Sequence, residues 1–278
     1  MFGPRQAESK PLIATRLWRY IISAAIVMVL GVSCGSPAST MGDLGQITKN
    51  GLVRICSTGD YRPFTYLDPH GQWSGMDIDM AHNLAQRLNV KLDLVQTTWA
   101  GMMSDLDAKC DIAMGGISIT LDRATQGLYS NPYLRDGKAA VVRCTDRSKY
   151  QTLAAIDQPG VRVVVNPGGT NADFVKARIH LATVANYPDN NTIFTQLTAG
   201  QADVMITDAS EIRWQTKQDA QLCGESIDHP FTFEQKAYLV RQSDEALRSW
   251  LNEWLNIANN DGTFAAISQN WLGQQVGP

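Results

Sequence analysis

The stretch Asp203-Val-Met-Ile-Thr-Asp-Ala-Ser-Glu-Ile-Arg-Trp-Gln215 decides the fold. Val204, Met205 and Ile206 form a short apolar run, which predicts a buried strand ending at Thr207. A helix follows from Asp208 or Ala209. Asp208 and Glu211 then take the N-cap and N3 positions, the acidic form of a capping box. A buried strand that turns through polar residues straight into a helix is the repeating unit of a parallel α/β sheet. Glu211 has two readings here: it caps its own helix, or it is an acid that does chemistry.

The same unit recurs along the chain. Leu52-Val-Arg-Ile-Cys56 reads as a strand ending in the polar turn Ser57-Thr-Gly-Asp60. Residues 78–89 carry Ile78, Ala81, Leu84, Ala85 and Leu88 at helical spacing. Lys91-Leu-Asp-Leu-Val95 is the next strand, Met102, Met103 and Leu106 mark a helix, and Asp111-Ile-Ala-Met114 is a strand running into Gly115-Gly116. This βαβαβ order predicts a mainly parallel sheet. A second half repeats it: a strand at 161–165 stopped by Asn166-Pro-Gly-Gly-Thr170, a helix across 173–180, another near 191–199, and then the opening stretch. The last segment is helical, with Ser243 as its cap, Ala246, Leu247, Trp250, Leu251, Trp254 and Leu255 along it, and Gly262 at its end. Two similar halves predict two lobes. In open parallel sheets, ligands bind beyond the carboxyl ends of the strands. Those ends read STGDY, TTW, GGISIT, NPGGTN and TDASE, so five polar and aromatic loops are expected to line one cleft.

Residues 1–33 read as a signal peptide. Arg5, Lys10, Arg16 and Arg19 precede 13 apolar residues at 20–32. A bilayer span needs about 20 residues, so this length fits a signal core. Leu30-Gly-Val-Ser-Cys34 has the form of a lipobox, which predicts cleavage before Cys34 and lipidation of its sulfur; 34–45 would be the tether. The alternative is an ordinary signal peptide. Cleavage there leaves 245 of 278 residues, and removes four of 24 basic and one of 27 acidic residues, leaving 20 against 26. That acidic balance argues against nucleic acid as a partner. It leaves room for a small anion held by a few local cations.

Four cysteines remain, and they allow three full pairings. Cys144 with Cys223 is the expected disulfide, because both fall in the second half; Cys56 and Cys110 lie on core strands and read as free buried thiols. His70, His82, His180 and His229 are scattered with no HxxxH spacing, so no metal site is expected.

The chain resembles the extracytoplasmic solute-binding proteins of the polar amino-acid class, family 3. The residues that carry the resemblance are Ser57-Thr-Gly-Asp-Tyr-Arg-Pro-Phe64, Gly75-Met-Asp-Ile-Asp-Met80, Asp111 through Thr120 with Arg123, and Asn131-Pro-Tyr133. Within that class it is similar to the cyclohexadienyl dehydratases. That likeness rests on Pro132-Tyr-Leu-Arg-Asp-Gly-Lys138, Ile156-Asp-Gln-Pro-Gly160, Asn166-Pro-Gly-Gly-Thr-Asn171, Thr207-Asp-Ala with Glu211, and Glu234-Gln-Lys-Ala-Tyr-Leu239. The resemblance implies a type II periplasmic-binding-protein-like α/β fold: two Rossmann-like lobes joined by a two-segment hinge, with the ligand cleft between them. Lobe 1 would span 46–138 plus 240–278 and lobe 2 139–239, with the crossings near 139–144 and 235–241. It implies loss of water and carbon dioxide from prephenate or arogenate, with no cofactor.

Such a reaction needs one general acid, donors for a dianion, and a dry, flat pocket. The resemblance puts Glu211 at the acid's position. Arg123, with Ser118 and Thr120 on the same turn, resembles a carboxylate clamp suited to the guanidinium fork. Asn166, Gly168 and Thr170 form a turn whose N–H groups would hold a second carboxylate. Lys138 would add positive charge at the hinge, unless it is simply solvated. Tyr61 and Trp99 would wall the ring, and Asp60 would support them. Asp208 stands where amino-acid binders take the ligand ammonium, and would serve arogenate. A plain amino-acid-binding receptor of a membrane transporter is the competing expectation.

Overall fold

The computed structural model describes residues 44–277. The predicted signal peptide, Cys34 and nearly all of the tether lie outside the described residues. The range read as tether overlaps the first described helix, Leu44–Asn50, at Leu44 and Gly45. No helix among the described residues is long and apolar enough to cross a membrane.

Lobe 1 is built on a five-stranded sheet in the order Lys91–Gln96, Leu52–Ser57, Ile112–Ala113, Leu239–Arg241, Gly127–Tyr129. Its strands alternate between two cores, as a period of two requires. Ile55, Ile112 and Val240 pack with the helices Met76–Leu88 and Glu245–Asn260; Cys56, Ala113 and Leu239 pack on the other face with Met102 and Leu106. The long C-terminal helix buries Leu247, Leu251, Trp254 and Leu255. Each fully buried leucine contributes roughly 1.5–3 kcal/mol. Its N-cap is Asp244 rather than Ser243, and it stops at Asn260. Gly262, at φ 85°, turns the chain into a further helix, Thr263–Leu272.

Lobe 2 repeats the plan in the order Thr183–Asn186, Arg162–Val165, Val204–Asp208, Lys138–Arg143, Leu222–Glu225. Ala139, Val141, Val164 and Met205 face one core; Ala140, Val142, Val163, Val165, Val204 and Ile206 face the other. The helix expected near 191–199 shrinks to Thr195–Thr198, although Ile193, Phe194 and Leu197 are buried.

Both sheets are mainly parallel, as expected, but each contains one reversed strand that the sequence reading did not foresee. Four strands in each run in one direction, and one, Leu239–Arg241 in lobe 1 and Lys138–Arg143 in lobe 2, runs against its two neighbours. The reason lies in how the chain changes lobes. It enters each lobe at the cleft, where the parallel strands end, so the entering strand must run away from the cleft. Lys138 pairs with Asp208, and Leu239 with Ala113, each at the start of an entering strand. Both crossings pass through a two-stranded ribbon, Leu134–Asp136 against Glu234–Lys236. Of the ranges expected to cross, 139–144 falls largely within the sheet strand Lys138–Arg143, while 235–241 starts in the ribbon strand Glu234–Lys236 and ends in the sheet strand Leu239–Arg241.

Cys144 and Cys223 form a disulfide in lobe 2. Cys56 and Cys110 form a second one, so they are not free thiols. Taken singly, each looks like an apolar core position. Pairing of Cys56 with Ala113 brings the segment just before Ile112 alongside the first strand, with the two Cα atoms 5.7 Å apart.

Candidate active site

The strand ends of both lobes gather around one narrow, nearly filled cavity of about 20 Å³. Its wall contains Tyr61, Trp99, Ser118, Arg123, Asn166, Gly168, Thr170 and Asp208, all named from the sequence, together with Gly116, Gly169, Asn171 and Asn190. Asp60 lines an adjoining recess with Thr58, Trp99 and Asn166. Thr120 is not in the cavity wall: its hydroxyl caps the short helix Leu121–Ala124 by accepting from the Arg123 N–H. Asn166 spends its Nδ2 on the Pro188 carbonyl at 2.9 Å, which removes that donor from ligand duty.

The lobes touch across this space. The Tyr61 hydroxyl donates to Asp208. Asn190 Nδ2 donates to the Asp60 carbonyl at 2.8 Å, and Arg62 to Asn191 at 3.1 Å. The Gly-Gly turn of lobe 2 lies against Trp99. Gly169 holds φ 99°, and a Cβ there would sit 3.5 Å from the tryptophan side chain. This positive φ explains the glycine, since side chains rarely adopt it.

Two lysines lie behind the cavity wall, outside its lining. Lys138 is fully buried, not solvated; its Nζ donates to Asp208 Oδ1 at 2.7 Å and Thr170 Oγ1 at 2.8 Å, and lies 3.3 Å from Glu234. Lys236, also fully buried, donates to Asp208 Oδ2 at 2.5 Å and Ser118 Oγ at 2.8 Å. Ser118 Oγ in turn donates to Glu234 at 2.7 Å. Lys236, Glu234, Asp136 and Asn171 were not singled out from the sequence. The signal existed: a lysine inside the apolar run Lys236-Ala-Tyr-Leu239 has to be paired if the run is buried.

The charges follow from this packing. Burial alone would raise the Asp208 carboxyl, but Lys138 and Lys236 overcome it and hold it well below the usual carboxylate range. Burial pulls Lys236 down, and Asp208, Asp136 and Glu234 push it up by more. Burial and the Asp208 charge drive the Tyr61 phenol far above its ordinary value, so it is a neutral donor.

Glu211 lies just behind the wall, on the first turn of the helix Ala209–Gln218, and is 1% exposed. It does not close a capping box. Asp208 holds the N-cap position but makes no side-chain cap bond, because its carboxylate faces the lysines. Glu211 Oε2 accepts from the Thr207 hydroxyl at 2.5 Å, and Thr207 Oγ1 accepts from Asn171 of the cavity wall at 2.9 Å. Burial raises the Glu211 carboxyl to about 8; the charges of Asp208 and Asp60 add to this, while Thr207 and Lys236 oppose it. The helix N-terminus favours the anion, yet burial wins.

Arg123 is the cation left facing the cavity. Its guanidinium donates to the Ser118 carbonyl at 3.1 Å and stands 5.9 Å from the Trp99 ring centroid, and it forms no ion pair among the described residues.

Two α/β lobes on a two-segment hinge, with a polar cleft at their strand ends, define a type II periplasmic-binding-protein-like fold. The family model of bacterial extracellular solute-binding proteins, family 3, matches residues 53–274, and the chain belongs to that family. It is 42% identical over 256 residues to the cyclohexadienyl dehydratase of Pseudomonas aeruginosa, across 92% of this chain and 95% of that one. It is 27% identical over 256 residues to the L-cystine-binding protein of Escherichia coli, across 91% and 94%. Among solved structures, an ancestral amino acid-binding protein described as a precursor of cyclohexadienyl dehydratase superposes with a TM-score of 0.77 at 32% identity, covering 82% of this chain and 99% of that one. An ancestral cyclohexadienyl dehydratase is 42% identical, with a TM-score of 0.53 and coverage of 83% and 96%.

Proposed function

We propose that this protein catalyses the decarboxylative dehydration of prephenate to phenylpyruvate, and of arogenate to phenylalanine. The observation that carries the reading is Glu211: a carboxyl closed off from water beside the cleft, with its proton held up to about 8. Plain solute binding has no use for such an acid. The 42% identity to a cyclohexadienyl dehydratase supports the same side.

In this reading Arg123 takes one substrate carboxylate, and the N–H groups at Gly168 and Thr170 take the other. Trp99 and Tyr61 flank the ring and exclude water. Glu211, turned into the cleft, gives its proton to the ring hydroxyl as the carbon–oxygen bond breaks, and water leaves. The electron pair of the bond to the ring carboxylate passes into the ring, which becomes aromatic as carbon dioxide departs. The Glu211 carboxylate then regains a proton from solvent. Lys138 and Lys236 hold Asp208 and Ser118 in place around it. The leader reads as a lipobox, so we also propose anchoring to the cell membrane through Cys34.

The deciding experiment is turnover of prephenate by the purified protein, followed as phenylpyruvate formed. Absence of turnover together with calorimetric binding of an amino acid would reject the enzyme in favour of a transport receptor.

A further inference from the structure

The paired lysines determine what the cleft carboxylate is free to do. A carboxylate offers about four lone-pair sites. Asp208 Oδ1 is taken by Lys138, and Oδ2 by both Lys236 and the Tyr61 hydroxyl. These donors do not swing away at little cost. Lys138 is also tied to Thr170 and Glu234, and Lys236 to Ser118. An α-ammonium group brought to Asp208 meets a carboxylate whose oxygens are already bonded to two lysines, and these lysines are also shared with Glu234 and Asp136. The Arg123 guanidinium, by contrast, is free to take a carboxylate in the same cavity. Asp60, another acid nearby, lines the recess beyond Trp99 and not the cavity that holds Arg123.

We propose that this site selects α-keto acids over α-amino acids of the same skeleton, and so takes prephenate in preference to arogenate. The second clause rests on the dehydratase reading; the first does not. The expected role of Asp208 as an ammonium acceptor is replaced by that of an anchor for two lysines.

Calorimetry with two matched pairs tests this: phenylpyruvate against L-phenylalanine, and α-ketoglutarate against L-glutamate. Neither pair is a substrate, so binding is read without turnover. In whichever pair binds, the keto acid should be tighter by about tenfold or more, since an unpaired buried charge costs upwards of one decade in affinity. Equal affinities, tighter binding of the amino acid, or no binding from either pair would overturn the proposal. In Lys138→Met one oxygen of Asp208 is released, and the ratio should fall toward unity; an unchanged ratio in the folded variant would also overturn it. If that variant does not fold, the wild-type ratio alone decides. A keto-acid preference in a protein that does not turn over prephenate would sink the dehydratase reading and leave this one standing.

Discussion

Lys138 Nζ and Asp208 Oδ1 stand 2.7 Å apart, on residues that face each other across an antiparallel strand pair. The strand that ends at the cleft supplies the acid, and the strand that leaves the cleft supplies the base. Burying two such ions costs several kcal/mol each, which only close pairing and further hydrogen bonds offset. Lys236 gives the same carboxylate a second cation at 2.5 Å. Asp208→Asn would leave both lysines buried against a neutral amide. The expected loss is about 3–5 kcal/mol of folding stability, the cost of breaking a buried pair from one side. Urea denaturation measures it, and an unmoved midpoint would contradict the account of the cluster.

Glu211→Gln separates the acid from the scaffold. The amide keeps the shape and still bonds to Thr207, but has no acidic proton to donate. Turnover of prephenate should fall by about 10²-fold or more, the usual share of a general acid. Binding of phenylpyruvate should stay within about threefold. A variant that retains wild-type turnover would remove Glu211 from the chemistry.

Arg123→Ala tests the clamp. The side chain makes one hydrogen bond to the Ser118 carbonyl, so its loss should leave stability nearly unchanged. A charge-assisted contact to a ligand carboxylate is worth about 1.5–3 kcal/mol, so KM should rise about 10- to 100-fold. Equal KM values for variant and parent would exclude the role.

Much of this was legible in the sequence, and the failures have a common physical cause. Strands and helices announce themselves by period, so the lobes and the strand-end loops could be placed. What eluded reading were features set by pairing between distant segments, the Cys144–Cys223 disulfide excepted. Cys56 and Cys110 each look like single core residues until strand pairing puts them side by side. Asp208 looks like a helix cap until two lysines from outside its own segment claim it. Lys138 reads as a hinge cation or a solvated lysine, and only its burial beside Asp208 decides between them. Glu211 shows the same limit in reverse: local rules favour an ionised cap, and only its burial keeps the proton on.

The Glu211 proton predicts two pH dependences. Chemistry needs the acid form, so the catalytic rate should hold below about pH 8 and fall tenfold per unit above it. Stability carries a sign that can be worked out. The ordinary glutamate value is 4.5, and in the native protein it is about 8. Between those values the native state keeps a proton that the unfolded chain has lost. Stability is therefore full below about pH 4.5, declines as pH rises, and has lost this share above about pH 8. Asp77, raised to about 6 by burial, adds a decline of the same sign at lower pH. Asp208 acts oppositely, because its lowered value contributes stability that is lost only in acid. Glu211→Gln removes one share alone. Denaturation at pH 6 and pH 9 should show wild type losing more stability than the variant, by an amount on the order of a few kcal/mol. Parallel losses in the two proteins would mean that Glu211 does not hold its proton in the folded state, and the acid would have to be sought elsewhere in the cleft.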